Sequence, residues 1–583
     1  MAPSTSPFAR NPPTVHGQVQ TPGQALSSRT LTLPPEPFVI ELFGRWLENP
    51  TTVVIRERFG EVEEQAWSIT AFLQDVVQAR EQMVQALSRE DRVRLRDPEG
   101  SVFIAVVAEG EYAFAVMALT VYTLGAVLAP LSPRAHPEEV QYFLTTCAAS
   151  LLCAVPSTAA HVCAIRETLP TPIQTFIFTP TQDYSAPLTF QISDTETPLS
   201  TDRGFVLIYT SGTTGPPKGV LHTRGTATTA LFAHRDKPFV AGPGDLYLHH
   251  MPVHWAGGLF TFFTVLLAGS CIEFCSRAFS PAWLLARLAD PALPPATALY
   301  LPPPMLDAVA EEVDIWQAKW PGRYEGAIKG IRGLRALSSG AMPVSVRQRE
   351  AWRGIWGRPL GVGYGMSELF GVESVGRIAS GIQVKIDEEG EVCVKSPVLF
   401  RRYISLDPDI MNGVFDAEGF FRTGDVGRVD GKILYLVGRA SHDIIRFYAW
   451  KVYAPEVETA LRRIDGIAYA IVVGVPDPHC GQRVAALVVY HDSESRICLE
   501  KLRFLLATEH GLAACKLPTL LRVAPSIADI PSTVIGKPMK GKIRDGYFNE
   551  TALAGSEVEV WNMEKNDAGG VGTRPFDWGG IQR

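Results

Sequence analysis

The segment Thr210-Ser211-Gly212-Thr213-Thr214-Gly215-Pro216-Pro217-Lys218-Gly219 gathers three glycines, four hydroxyl side chains and a lysine. Backbone N–H groups, O–H donors and a positive charge in one loop are what polyphosphate oxygens need. The segment is not a P-loop of the Gly-x-x-x-x-Gly-Lys-Ser/Thr kind, because Lys218 stands between Pro217 and Gly219. A plain flexible turn would need neither the lysine nor so many hydroxyls. Thiol–metal chemistry finds no such support. The nine cysteines are scattered, and Cys271 and Cys275 lack the second pair or histidine cluster of a zinc site, so free or structural thiols in a reducing compartment are expected.

The loop directly follows an apolar run, Phe205 to Tyr209, which reads as a buried strand, as do Val102 to Val107 and Ala470 to Val473. Pro137 to Cys147 and Pro455 to Arg463 have helical spacing with a proline near the start, where its missing N–H costs nothing. The alternation predicts an α/β protein, and 583 residues allow two to four domains at about 150 residues each. Hydrophobic residues at 46% and charged residues at 20% exclude a wholly disordered or fibrous chain. A net charge of −7 without a dense basic run argues against nucleic acid and for a small molecule as partner. Two long uncharged stretches, Tyr112 to Pro133 and Leu246 to Ile272, raise the question of a membrane span. Gly125, Pro130, Pro252 and Gly257-Gly258 interrupt them, so both read as buried soluble segments, the first as helix, turn and short strand. Residues 1–37, poor in charge and rich in Pro, Gly, Ser and Thr, are expected to be a disordered tail, and so are residues 551–583. A cytoplasmic location is expected, with a mitochondrial one as the alternative because the start is free of acids. Oligomeric state is not legible.

Further segments follow the loop in order: Leu337-Ser338-Ser339-Gly340-Ala341, Tyr364-Gly365-Met366-Ser367-Glu368, Arg422-Thr423-Gly424-Asp425, Gly438-Arg439, and Ile530-Pro531 with Gly536-Lys537. In this order the chain resembles the acyl-adenylate-forming superfamily of acyl-CoA synthetases, adenylation domains and luciferases. Gly438 to Glu458, and Val473 to Asp477 with Gly481 to Val484, look most like its malonyl-CoA synthetase-like branch. The resemblance implies a large N-terminal domain of sheets and helices, 38–438, and a small C-terminal α+β lid, 439–550, with a hinge within Ala440 to Asp443. It also implies ATP-dependent activation of a carboxylic acid to an acyl-adenylate and transfer to coenzyme A. Joining a carboxylate to AMP supplies a leaving group, but the attacking anion meets highly charged ATP, so cations must offset the repulsion. Lys537 is the implied cation, with Lys540 and Lys542 as nearby rivals. Glu368 would ligate Mg²⁺, which takes only one or two protein carboxylates. The resemblance assigns Thr210, Ser211, Gly212, Thr213, Thr214, Gly215, Lys218, Gly340 and Ser367 to the nucleotide. Tyr364 would stack on adenine, Asp425 would accept from the ribose hydroxyls, and Arg439 would touch the nucleotide. His254 and Trp255 would flank the acyl group, although core packing is an equal alternative for Trp255.

Two positions depart from that pattern. Malonate-using relatives carry an arginine directly before Tyr-Gly-Met, where this chain has Gly363; a buried second carboxylate would lack a partner, so a monocarboxylate is expected. After Asp443 the usual glycine pair gives way to Arg446-Phe447-Tyr448-Ala449-Trp450-Lys451, in the loop that would line the pantetheine channel. An acceptor other than coenzyme A (a carrier thiol, amine or alcohol) stays open on that ground. A catalytically idle nucleotide-binding homologue is a third reading, opposed by the intact Lys218, Glu368, Asp425 and Lys537.

Overall fold

The computed structural model describes residues 29–562, apart from 60–62, 98–99, 171, 182–183, 185–187, 197, 211–216, 236–241, 276–278, 370, 374–375, 380, 440–442, 448–449, 493 and 534–535, together with the backbone of 14–16. It forms two compact units. Residues 1–374 with 396–412 make the first, and 375–395 with 413–583 the second.

Among the described residues the first unit contains a nine-stranded and a seven-stranded sheet. The seven-stranded sheet runs Arg402–Ile404, Lys218–Thr223, Gly204–Thr210, Val127–Leu131, Phe103–Val107, Leu151–Ala154, Thr175–Ile177. From Gly204–Thr210 to Thr175–Ile177 its strands pair in parallel, and Val127–Leu131, Phe103–Val107 and Leu151–Ala154 are buried on both faces, which explains their continuous apolar runs. The nine-stranded sheet holds the consecutive parallel neighbours Ala298–Tyr300, Ala336–Gly340 and Gly361–Met366. Both uncharged stretches are interior parts of this unit. Tyr112–Leu124 is a helix buried on every side, ended by Gly125 in the left-handed conformation (φ 75°) and followed by strand Val127–Leu131. Helix Ala256–Ala268 lies between strands Leu246–His249 and Cys271–Phe274, and Phe262 meets Phe114 of the first helix edge to face at 5.7 Å. Among the described residues no helix is long and apolar enough to cross a membrane. Glu273 on Cys271–Phe274 is buried against Arg287, at 2.6 Å and 2.7 Å; removing either partner of such a pair costs about 3–5 kcal/mol.

Among the described residues the second unit holds a five-stranded sheet built on Phe421–Asp430 and Ile433–Arg439, and a six-stranded sheet built on the long antiparallel pair Ile467–Asp477 and Gly481–Tyr490. Helices Ala454–Leu461 and Leu499–Thr508 send Val457, Leu461, Leu502 and Leu506 into one core with Val472, Val484 and Val488.

Two described segments are regular structure where the sequence suggested disordered tails. Arg29–Leu33 is a strand parallel to Leu188–Ile192, and its Leu31 and Leu33 are buried; short alternation inside a polar, proline-rich stretch hid it. Helix Glu550–Ala554 and strand Val558–Val560, paired with Leu520–Val523, likewise fall in the segment expected to be a C-terminal tail.

Candidate active site

Strand Gly204–Thr210 returns as strand Lys218–Thr223 in an antiparallel hairpin, with Thr210 opposite Lys218. The glycine- and hydroxyl-rich segment is the connection of that hairpin, unlike the strand-to-helix turn of a P-loop. Ser211, Gly212, Thr213, Thr214 and Gly215 lie outside the described residues. The posts of the loop are held: Thr210 Oγ1 donates to the Lys218 carbonyl at 3.3 Å, and the Tyr142 hydroxyl donates to the Pro217 carbonyl at 2.8 Å.

The other edge of strand Lys218–Thr223 pairs with Arg402–Ile404, which sets Tyr403 opposite Val220. There Lys218 Nζ lies 3.7 Å from Glu368 Oε1 and 3.6 Å from the centre of the Tyr403 ring. The Tyr403 hydroxyl donates to the same Glu368 oxygen at 2.7 Å. Two further contacts fix the short helical turn Ser367–Leu369. The Phe400 N–H donates to the Glu368 carbonyl at 2.8 Å, and His222 Nε2 donates to the Ser367 carbonyl at 2.7 Å. Burial lowers the pKa of His222 to about 4, so the ring is neutral near pH 7 and keeps its proton on Nε2 toward the carbonyl. Sequence reading missed both residues. His222 carries a legible signal, since positions 218 and 222 share one face of a strand. Tyr403 carries none, because a tyrosine so far along the chain meets Lys218 only through strand pairing.

Gly340 and Gly363 sit opposite each other on neighbouring parallel strands. A Cβ at Gly340 would stand 2.4 Å from the Gly363 carbonyl oxygen and 3.2 Å from the Tyr300 hydroxyl, so the close backbone approach requires glycine there. Tyr364, one residue on, lies opposite Glu373 and is half-buried. His254 and Trp255 precede helix Ala256–Ala268, their rings edge to face at 6.3 Å. Burial lowers the pKa of His254 to about 4, and the Arg134 guanidinium adds to the effect. Among the described residues no hydrogen bond or ion pair joins His254 or Trp255 to Lys218, Glu368 or Gly363.

In the second unit Asp425 and Arg439 are register partners of one hairpin, and Arg439 Nε lies 2.9 Å from Asp425 Oδ1. Arg439 Nη1 also donates to the Thr423 carbonyl at 2.8 Å. The Arg439 N–H donates to Asp443 Oδ2 at 2.9 Å, which ties the end of the strand to the turn beyond it. Of the expected hinge, Ala440, Ser441 and His442 lie outside the described residues.

The three lysines have different surroundings. Lys540 is ion-paired with Asp443 and with Glu458, the latter at 2.8 Å. Burial would lower the Lys540 pKa, but Glu458 and Asp443 raise it; burial would raise Asp443, but Lys540 and the Arg439 N–H hold it below the ordinary range. Lys537 follows Gly536 (φ 77°), and its N–H donates to Thr533 Oγ1 at 3.1 Å while its side chain is exposed. The surrounding protein lowers its pKa first and the Arg439 guanidinium second, against the pull of Asp443 and Asp425. Lys542 is exposed on helix Lys540–Tyr547. Lys540 is therefore committed to two carboxylates of its own unit, whereas among the described residues no carboxylate forms an ion pair with Lys537.

Each unit by itself carries groups suited to a nucleotide: in the first a loop posted by a lysine with a glutamate beside it, in the second an Asp–Arg pair. A family model described as AMP-binding enzyme matches residues 97–404, just over half of the chain, and one described as AMP-binding enzyme C-terminal domain matches residues 456–537. The chain belongs to the AMP-binding enzyme family. This AMP-binding enzyme is 31% identical over 387 residues to a probable CoA ligase of Humulus lupulus, a match covering 60% of this chain and 62% of that protein. It is 29% identical over 377 residues to a malonate–CoA ligase of Arabidopsis thaliana, covering 59% and 61%. The match thus spans less than two thirds of either relative. Among solved structures, ATP-bound MatB from Rhodopseudomonas palustris shares the fold at a TM-score of 0.71 and 21% identity, covering 88% of this chain and 99% of that one.

Proposed function

We propose that this AMP-binding enzyme uses ATP to convert a carboxylic acid to an acyl-adenylate and then passes the acyl group to coenzyme A. The observation that carries the reading is the Lys218–Glu368 pair at the posts of the hydroxyl-rich loop. In this scheme the carboxylate attacks the α-phosphorus, the bond to the β-phosphate oxygen breaks, and pyrophosphate leaves. Loop N–H groups and Lys218 hold the departing phosphates, Asp425 accepts from the ribose hydroxyls, Tyr364 stacks on adenine, and Lys537 offsets the charge of the attacking anion. Glu368 with its oxygen ligands fits Mg²⁺, which would neutralise phosphate charge when bound. The lid boundary at 438/439 and the hinge ending at Asp443 belong to the same reading.

The acid is proposed to be a monocarboxylate, because no arginine stands at Gly363 to pair with a second carboxylate. One observation favours a second reading of the acceptor. The departing loop folds as a hairpin, Phe447 opposite Trp450, in which Phe447 is buried and Trp450 is 50% exposed; Tyr448 and Ala449 lie outside the described residues. An exposed indole in the loop where relatives carry a glycine pair would hinder a pantetheine arm and leave an amine, alcohol or carrier thiol as acceptor. The test is acid-dependent pyrophosphate release over a panel of mono- and dicarboxylic acids, followed by product analysis with coenzyme A and with amines. No release with any acid would overturn adenylation; release with amide but no thioester would overturn coenzyme A as acceptor.

A further inference from the structure

A cation already occupies the carboxylate to which the metal is assigned. Glu368 Oε1 takes the Tyr403 hydroxyl at 2.7 Å and the Lys218 ammonium at 3.7 Å, and that ammonium lies 3.6 Å over the Tyr403 ring. One phenol thus contacts both the metal carboxylate and the phosphate lysine. Tyr403 and Glu368 are buried, at 6% and 8% exposure, whereas the Lys218 side chain is 30% exposed and can move.

We infer that Tyr403 is a positioning residue that makes metal binding at Glu368 depend on nucleotide binding at Lys218. Its hydroxyl fixes the direction of the carboxylate, and its ring, together with that carboxylate, parks the lysine. While Lys218 stays there, its charge repels a divalent cation from the same oxygen. Triphosphate oxygens offer the ammonium a stronger set of partners, so their arrival draws Lys218 off and frees Glu368, still aimed by Tyr403, for the metal. The inference rests on Glu368 being the metal ligand. It assigns a role to a residue outside the glycine- and hydroxyl-rich loop, one brought in by pairing of Arg402–Ile404 with Lys218–Thr223.

Mn²⁺ serves as the probe, with free Mn²⁺ followed by electron paramagnetic resonance on the full chain, with and without α,β-methylene-ATP. The parent is expected to bind Mn²⁺ at least about tenfold more tightly with the nucleotide analogue than without it. Lys218→Met should raise the affinity for Mn²⁺ alone and shrink the dependence on the analogue. Tyr403→Phe keeps the ring and removes the hydroxyl, and should lower Mn²⁺ affinity in the presence of the analogue by about 10- to 100-fold, at an unchanged melting temperature. Parental Mn²⁺ affinity in Tyr403→Phe, or unchanged affinity for Mn²⁺ alone in Lys218→Met, would overturn the inference. Analogue-dependent Mn²⁺ binding that survives Glu368→Gln would overturn it together with the metal assignment, while acid-dependent pyrophosphate release by the parent would leave adenylation standing.

Discussion

The two units treat their functional cations in opposite ways. In the first, Lys218 rests against Glu368 and the face of Tyr403, so its charge is matched before any nucleotide arrives. In the second, the protein acids are spent elsewhere: Asp425 on Arg439, and Asp443 and Glu458 on Lys540. Lys537 is left exposed beside Arg439, and its pKa falls. A matched cation is suited to exchange partners when phosphates bind. An unmatched one suits the neutralisation of charge that develops only in the reaction, because it gives up no strong partner to do so.

The contrast between Lys537 and Lys540 gives the largest expected effect. Lys537→Ala should slow acid-dependent pyrophosphate release by about a thousandfold or more while leaving thioester formation from supplied acyl-adenylate largely intact. Near-parental release would move the role to Lys542, since Lys540 is already paired.

Lys540→Met should instead cost stability, about 3 kcal/mol, because it leaves Asp443 and Glu458 half-buried or buried without their cation. Denaturant unfolding of both variants tests the division of labour, and Lys537→Ala should stay within about 0.5 kcal/mol of the parent. The pH dependence follows from the signs. Lys540, raised on folding, stabilises below the unfolded lysine pKa and loses that contribution as pH rises through its folded value. Asp443, lowered on folding, stabilises above the unfolded carboxyl pKa and loses that contribution as pH falls through its folded value. The stability gap between parent and Lys540→Met should therefore be full from about pH 4 to about pH 10 and close outside that window.

A smaller effect concerns the alkaline limb of activity. In the proposed role Lys537 acts protonated, and its pKa is lowered, so adenylation should decline at a lower pH than an ordinary lysine would dictate. Arg439→Gln removes one of the causes and should move that decline upward, whatever it does to the rate. An unmoved pH profile would separate Lys537 from the Asp425–Arg439 pair.

The smallest effect is on selectivity. Gly363→Arg should shift the ratio of kcat/KM toward a dicarboxylate over its monocarboxylate analogue by about tenfold. An unchanged ratio would mean that position 363 does not face the acyl group.

Much of this was legible from the chain. The strand before the hydroxyl-rich loop, helix Pro137–Cys147 and the interior character of the two uncharged stretches all follow from period, proline position and glycine stops, which are local properties. The ordered motifs singled out Lys218, Glu368, Asp425, Arg439 and Lys537 as candidates because each lies in a short segment with its own turn chemistry. Strand Arg29–Leu33 escaped because its partner, Leu188–Ile192, is distant in sequence and its own composition is that of a tail.

What needed the folded molecule is the choice among chemically equal residues. The motif names Lys537 but leaves Lys540 and Lys542 as rivals of the same chemistry, and packing on Asp443 and Glu458 removes Lys540 from the contest. Tyr403 gains its place because residues 396–412 return to the first unit after 375–395 have joined the second, and lay a strand beside Lys218. Residue types and local spacing set which groups could do the chemistry, whereas the partner of each charge is fixed by non-local strand pairing and burial, which no window of sequence contains.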